Sequence, residues 1–314
     1  MINTKTTGVR NLHNKKSLKA EFAQNWELYL MILPVLAYYI IFCYVPMYGS
    51  VIAFQDYNPG EGISGSTWVG FKHFIDFLTS PDFVRIFRNT LNISVIMLIV
   101  GFTSPIILAL LMNELRQTGL KRVTQTISYM PHFISIVVIC GMIKDFVSAN
   151  GLISHLFSPL IGENVDMLTR EKMFVPIYVI SGVWQGIGWN SIIYVAALSG
   201  IDTQLYEAAK VDGAGKWNQM RYVTLPGIMP TIVIMLILQI GSLLSVGYEK
   251  IILLYNPLIY NTSDVISTYV YRLGFDGQQW SYTTAVGLFN SIINFLLLVS
   301  ANKISKKFND TSLW

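Results

Sequence analysis

Six apolar stretches divide the chain and constrain its fold more than any other feature. They cover about residues 28–47, 90–113, 126–143, 174–200, 227–248 and 284–302. None of the six contains Asp, Glu, Lys or Arg. An α-helix needs about 20 apolar residues to cross the hydrocarbon core of a bilayer. Each stretch therefore predicts one transmembrane helix, and we expect an all-α membrane protein with six transmembrane helices.

The composition excludes an ordinary soluble domain. Hydrophobic residues make up 53% of the 314 residues and charged residues only 13%, whereas about a quarter of the residues of a soluble domain are charged. Cys43 and Cys140 both lie in apolar stretches, so we interpret them as small core residues and not as a disulfide framework. The first stretch lacks a small-residue cleavage site, which favours a retained anchor over a signal peptide.

The distribution of basic residues predicts the topology. Segments 1–27, 114–125, 201–226 and 303–314 together hold 14 Lys and Arg residues, and the segments between them hold 8. Positive residues accumulate on the cytoplasmic side of a membrane protein. We therefore expect a cytoplasmic basic tail over 1–27, a transmembrane domain over 28–302 and a cytoplasmic C-terminal tail over 303–314, with both termini inside the cell.

The chain shows no means of powering transport by itself. His132 is the one residue in the six stretches that ionises near neutral pH, whereas ion-coupled transporters need charged relays at membrane depth. A lone His after Pro131 is more often a packing residue. The nearest approach to a nucleotide-binding loop is Gly215-Lys216, but Trp217 follows where Ser or Thr is required. A separate subunit is expected to supply the energy.

Residues 201–230 form a polar interruption, IDTQLYEAAKVDGAGKWNQMRYVTLPGIMP, between two apolar stretches. Asp202 or Thr203 can cap a first short helix. Gly213 permits a sharp turn with positive φ, and a second short helix should follow and end at Pro226. The pattern predicts a folded helix-turn-helix at the membrane surface. The alternative is a solvated connector.

This interruption carries a specific resemblance. Glu207-Ala208-Ala209, then Gly213, then Val223-Thr224-Leu225-Pro226 resembles the EAA loop of ABC importer permeases. The surrounding segment 186–217 is similar to the carbohydrate branch (MalF/MalG-like, type I), in particular the LplB/YteP-like polysaccharide permeases. The resemblance implies the MetI-like permease fold, with 201–230 as the loop that docks in a cleft of the ATPase. It implies coupling roles for Glu207, Ala208, Ala209, Asp212, Gly213 and Pro226.

The same resemblance implies the partners. They are a second homologous permease in a heterodimer, a homodimeric MsmX-like ATPase that uses ATP and Mg²⁺, and an extracytoplasmic solute-binding lipoprotein. This chain itself is expected to bind no cofactor, metal or nucleic acid and to contact membrane lipids. Frequent Ile, Asn and Lys indicate a Gram-positive source, and hence its cytoplasmic membrane.

Polar and aromatic side chains in the later stretches are candidates for a substrate path. Sugars bind through stacking on aromatic rings and through hydrogen bonds from hydroxyls to amides. The candidates are Trp184, Gln185, Trp189, Asn190, Tyr194, Gln239, Asn290 and Asn294. Gln185 and Trp189, four residues apart, form the best single helix face. The alternative is that these side chains only bond neighbouring helices.

Two outward segments have patterns of their own. Phe71, Phe74, Ile75 and Leu78 recur at helical spacing and predict an interfacial helix, either a docking surface or a packing brace. Residues 249–275, after the fifth stretch, contain four tyrosines, Tyr255, Tyr260, Tyr269 and Tyr271, and in related sugar permeases this loop dips toward the pore.

These observations predict a permease subunit of an ATP-driven importer of oligosaccharides. Two alternatives remain open at this stage. A permease for peptides or other small solutes would share the coupling loop. A membrane-embedded enzyme would need a buried acid–base pair, and Lys144-Asp145 and Glu249-Lys250 are more simply interpreted as interface anchors.

Overall fold

Helices dominate the computed structural model, which describes residues 25–115, 117–161, 165–309 and 312–314. The chain divides into two units, residues 1–51 and 52–314. Of the predicted basic tail 1–27, all but the last three residues lie outside the described part. In the first unit, α1 (Trp26–Tyr39) continues through a π-turn (Ile40–Tyr44) into α2 (Val45–Met47). A 3-10 segment follows over Tyr48–Phe54, and its last three residues belong to the second unit.

A small hairpin and a short helix precede the long helices of the second unit. Strands β1 (Gln55–Asp56) and β2 (Thr67–Trp68) pair antiparallel, with Gln55 opposite Trp68, and α3 (Gly62–Gly65) lies between them. Helix α4 (Lys72–Thr79) buries His73 and Phe77 and exposes Ile75 and Leu78. The predicted helix is therefore present and has two unlike faces.

The centre of the second unit is a pair of long helices. Helices α5 (Phe83–Glu114) and α9 (Glu171–Ser199) pack along each other. Between them in sequence come α6 (Thr118–Tyr129), α7 (Ile136–Val147) and α8 (Leu152–Ile161). At Gly188 of α9, a Cβ would lie 2.0 Å from the carbonyl oxygen of Ser128. The absence of a side chain there lets the backbones of α6 and α9 touch.

The remaining helices complete the unit. They are α10 (Thr203–Val211), α11 (Lys216–Gln219), α12 (Leu225–Gly241), α13 (Tyr248–Leu254), α14 (Tyr260–Ser263), α15 (Ile266–Tyr271) and α16 (Trp280–Asn309). Helix α12 packs against α16 and α9. The largest buried cluster joins α5, α7, α9 and α13 around Ile93, Phe174 and Ile251.

Several predicted boundaries differ from the structure. The stretch 126–143 is not one helix: α6 ends at Tyr129, a 3-10 turn follows over Met130–Phe133, and Ile134 and Ser135 have extended backbone before α7. Pro131 explains the break, because it has no N–H to donate. The stretch 227–248 ends as a helix at Gly241, and the last helix extends beyond 284–302 into the predicted tail 303–314.

Five helices in the described residues are long and apolar enough to cross a membrane: Trp26–Phe54, Phe83–Glu114, Ile136–Pro159, Lys216–Gly241 and Trp280–Lys307. The predicted fourth span, now α9, is not among the five, although its 29 residues suffice in length. Its Trp, Gln, Asn and Gly residues make it less apolar. The six-span count and the cytoplasmic termini therefore stay predictions.

Candidate functional site

The segment 202–224 forms a folded knob, as the sequence predicts, and not an irregular connector. The carboxylate of Asp202 accepts a hydrogen bond from the N–H of Gln204 at 2.9 Å and caps α10. Gly213 has φ +79° and provides the turn. The hydroxyls of Tyr206 and Thr224 lie 3.0 Å apart and close the knob. Lys216 pairs with Glu114 at the end of α5, which ties the knob to the long helices.

The second half of the knob differs from the expectation. Pro226 does not end a short helix, because the helical path runs from Lys216 to Gly241 without interruption. A π-turn over Met220–Thr224 precedes Pro226, and Pro226 itself lies within the first two residues of α12. Proline has no N–H to donate within this continuous path, and a π-turn next to it is a local adjustment that lets the neighbouring backbone groups find partners.

The predicted coupling residues lie on the surface of the knob. Glu207, Ala208, Asp212 and Gly213 are exposed, Ala209 is half-buried, and Pro226 is exposed on α12. Large apolar side chains accompany them: Val211 is 88% exposed and Trp217 68% exposed. The sequence argument did not single out Val211. Its position next to Asp212 and the turn would have been the signal.

The predicted substrate-path residues do not form one group. Trp189 is partly exposed and stacks on His132, with ring centroids 4.4 Å apart and an interplanar angle of 4°. Trp184 and Asn190 are exposed, and Gln185 is half-buried. Tyr194 is buried with Ala109, Leu198 and Ile228. The helix therefore distributes these five side chains over several faces.

Of the three candidates on later helices, only Asn290 lines a cavity described below. Gln239 is exposed on α12. Asn294 is buried: its Oδ1 accepts the N–H of Leu244 at 3.0 Å, and its Nδ2 donates to Ser245 Oγ at 2.9 Å. Asn294 therefore ties α16 to the turn after α12. Lys250, expected to be an interface anchor, is also buried and donates to the carbonyl of Tyr178 at 3.0 Å.

An aromatic cavity of about 300 Å³ lies between α13, α15 and α16. Tyr248 and Tyr271 stack in its wall with centroids 5.3 Å apart, and Phe275 lies 5.1 Å from Tyr271. The Oδ1 of Asn290 is buried and has no hydrogen-bond partner among the described residues. The complete lining is Tyr248, Ile266, Ser267, Val270, Tyr271, Phe275, Gly287 and Asn290.

This lining suits a carbohydrate. Stacked tyrosines can receive the C–H face of a pyranose ring. The side-chain amide of Asn290 can donate a hydrogen bond to a sugar hydroxyl through its NH2 group, whereas its Oδ1 is buried. A second cavity, about 460 Å³ between α5 and α9, is mostly aliphatic and has Glu171 and Lys172 among its lining residues. It has no aromatic ring in its lining, so it matches a sugar less well.

The comparisons with known proteins agree with this architecture. Residues 101–309 match the family described as binding-protein-dependent transport system inner membrane component. The chain belongs to this family. It is therefore a membrane-embedded permease subunit of an ABC transporter and not an enzyme, and the predicted fold class is confirmed as a largely helical permease.

The similarity to individual proteins extends over nearly the whole permease. This chain is 44% identical over 301 residues to the polygalacturonan/rhamnogalacturonan transport system permease protein YteP of Bacillus subtilis (strain 168). The match covers 96% of this chain and 94% of YteP. This chain is 43% identical over 288 residues to protein LplB of the same organism, covering 91% of each chain. The predicted resemblance to this branch is confirmed.

A solved structure has the same fold. The crystal structure of a bacterial ABC transporter involved in the import of the acidic polysaccharide alginate contains a chain that is 41% identical, with a TM-score of 0.85. The match covers 94% of this permease and 100% of that chain. The same type of transporter, in complex with an alginate pentasaccharide-bound periplasmic protein, matches with a TM-score of 0.86.

Proposed function

We propose that this permease is one membrane subunit of a type I importer that moves an oligosaccharide inward from an extracytoplasmic solute-binding protein. The observation that carries the proposal is the cavity between α13, α15 and α16, in which Tyr248 and Tyr271 stack and the side chain of Asn290 shares the lining. The polysaccharide substrates of the similar transporters support an oligosaccharide as the cargo.

The knob provides the coupling to ATP. The exposed apolar side chains of Val211 and Trp217 flank the turn at Gly213, and such a patch on a small helical knob fits a protein cleft. Glu207 contributes a charge on the same knob. ATP and Mg²⁺ are bound by the partner ATPase, a homodimer, and this permease pairs with a second homologous permease. The complex works in a cytoplasmic membrane, that of a Gram-positive cell.

Substrate-stimulated ATPase activity tests the proposal. The complex of both permeases, the ATPase and the binding protein is reconstituted in vesicles and assayed with a panel of oligosaccharides and peptides. We expect stimulation and uptake with at least one oligosaccharide and with none of the peptides. Stimulation by peptides alone would show that the permease serves the other substrate class.

A further inference from the structure

One carboxylate, that of Asp264, is fully buried and lies just before the helix that supplies half of the cavity lining. Helix α15 (Ile266–Tyr271) contributes Ile266, Ser267, Val270 and Tyr271 to the cavity. The side chain of Asp264 has 0% exposure. A charge buried to this extent requires compensation by partner charges and hydrogen bonds.

Arg272 at the other end of the same helix provides the first part of that compensation. Its Nη2 donates to Asp264 Oδ2 at 2.8 Å and its Nη1 to Oδ1 at 3.2 Å. This two-bond geometry fixes the orientation of both groups. Because Asp264 precedes α15 and Arg272 follows it, the ion pair joins the two ends of the cavity helix.

Helix α5 provides the second part. Arg85 Nη1 lies 3.4 Å from Asp264 Oδ2 and also donates to the carbonyl of Tyr260 at 3.0 Å. Asn89 Nδ2 donates to the backbone carbonyl of Asp264 at 3.0 Å. Thr90 Oγ1 accepts the N–H of Ile266 at 3.0 Å. The start of α15 is therefore attached to α5 by contacts from three residues of α5, Arg85, Asn89 and Thr90.

The electrostatics favour a permanently charged pair. Burial alone lowers the pKa of the Arg272 guanidinium, but its hydrogen bonds and charge interactions with Asp264, and those with Tyr255, together outweigh burial and raise that pKa above its ordinary value. The guanidinium also lies over the ring of Tyr260, 4.9 Å from the centroid. The positive charges of Arg85 and Arg272 balance the negative charges of Asp264 and Asp82, so the group of four side chains is electrically neutral.

We propose that Asp264 is a positioning residue for the sugar cavity: through Arg272 and Arg85 it holds α15, and with it Tyr271, in the orientation that retains the oligosaccharide during transport. The proposal rests on the proposed function of the cavity. It gives Asp264 no direct contact with the sugar, since Asp264 is not among the lining residues. Its effect is on the geometry of the wall.

The test compares Asp264→Asn with Asp276→Asn in the reconstituted complex. Asp276 undergoes the same chemical change but is exposed, four residues after Arg272. For Asp264→Asn we expect the sugar imported per ATP hydrolysed to fall by about threefold or more, because a small displacement of binding groups is costly. The ATPase activity stimulated by the loaded binding protein should stay near the wild-type value. Asp276→Asn should change neither quantity.

A loss of both transport and ATPase activity in equal proportion, or of neither, would overturn the proposal, since a merely structural residue would give the first result. If Asp264→Asn does not assemble, Arg272→Lys replaces it, because it keeps the charge and removes the two-bond geometry. The expected and contrary results are the same.

A second measurement needs no sugar. Ser267→Cys, in a chain with Cys43 and Cys140 replaced by Ala, reports the exposure of α15 to a membrane-impermeant maleimide. We expect faster labelling when Asp264→Asn is added, and an unchanged rate would contradict the positioning role of Asp264. If labelling accelerates but neither Asp264→Asn nor Asn290→Ala alters transport, the assignment of the cavity to sugar fails, and the positioning role fails with it. If Asn290→Ala alters it and Asp264→Asn does not, the positioning role fails.

Discussion

His132 and Trp189 lie face to face, with ring centroids 4.4 Å apart and planes inclined by only 4°. Phe133 meets the same indole edge-on at 5.6 Å. The contact joins the 3-10 turn at Met130–Phe133 to α9 across the break in the predicted third span. It gives the histidine a packing role and gives Trp189 a partner within the chain.

The stacked pair leads to the first prediction. His132→Asn should leave transport and its pH dependence nearly unchanged, because packing requires no proton. Trp189→Ala should lower the free energy of unfolding by roughly 1 kcal/mol or more through loss of the stack, while Trp189→Phe retains most of it. Thermal unfolding in detergent and uptake across the neutral pH range measure both effects. Abolished transport in an assembled His132→Asn complex would contradict the packing role.

The second prediction concerns the contact of α6 with α9. Gly188→Ala would put a methyl group 2.0 Å from the carbonyl of Ser128, a backbone atom that cannot rotate away. We expect destabilisation by about 3 kcal/mol or more, at the upper end for overpacking. Gly141→Ala is the matched control in α7, where no described atom lies within 4 Å of the new methyl group. Equal yields of assembled complex from Gly188→Ala and Gly141→Ala would refute the predicted destabilisation.

The third prediction tests the knob. Gly213→Val should weaken ATPase binding, because Val at φ +79° is strained by roughly 1–2 kcal/mol. Gly215→Val places the same side chain at φ −66° and should have a smaller effect. Glu207→Ala should cost about 2 kcal/mol of ATPase binding if its charge meets a basic group in the cleft. Co-purification of the ATPase measures its binding to each variant, and uptake into vesicles measures the coupling of ATP hydrolysis to transport.

A normal ATPase yield and normal transport in both Gly213→Val and Glu207→Ala would show that the knob is not the coupling element. Glu249→Ala, an exposed carboxylate on α13, is the control for loss of charge alone and should bind ATPase normally.

The fourth prediction tests the cavity. Asn290→Ala should reduce oligosaccharide transport by about tenfold, which corresponds to loss of one hydrogen bond of about 1.4 kcal/mol. Ser291→Ala, the neighbouring position, is exposed and bonds only to the carbonyl of Gly287 among the described contacts, and it should transport normally. Uptake of labelled oligosaccharide measures both. Wild-type uptake by Asn290→Ala would remove this amide from the substrate path.

The fifth prediction is the topology. Reporter fusions at Gly62 and Gly215 should report the outside and the inside of the cell, respectively, because basic residues concentrate on the side of the knob. Gly215 is exposed, and Gly62 is half-buried with no described atom within 4 Å of an added Cβ, so a fusion disturbs little packing. The reverse pattern of reporter activity would invert the orientation of the permease and place the knob away from any cytoplasmic ATPase.

The sequence by itself determined the features that depend on near neighbours in the chain. Apolar stretches predicted most of the long helices, since hydropathy is a property of each segment alone. The cap at Asp202 and the turn at Gly213 followed from local backbone chemistry. The spacing around Glu207 identified the family. Helix ends were less accurate where proline interrupted the pattern, as at Pro131 and Pro226.

The tertiary structure decided which side chains meet. Asp264 and Arg85 are far apart in sequence, and so are Tyr248 and Asn290, yet each pair shares one site. A polar residue on a long apolar helix has the same local pattern whether it lines a cavity, as Asn290 does, or bonds a neighbouring turn, as Asn294 does. Its role depends on the packing of helices remote in sequence, and local periodicity contains no information about that packing.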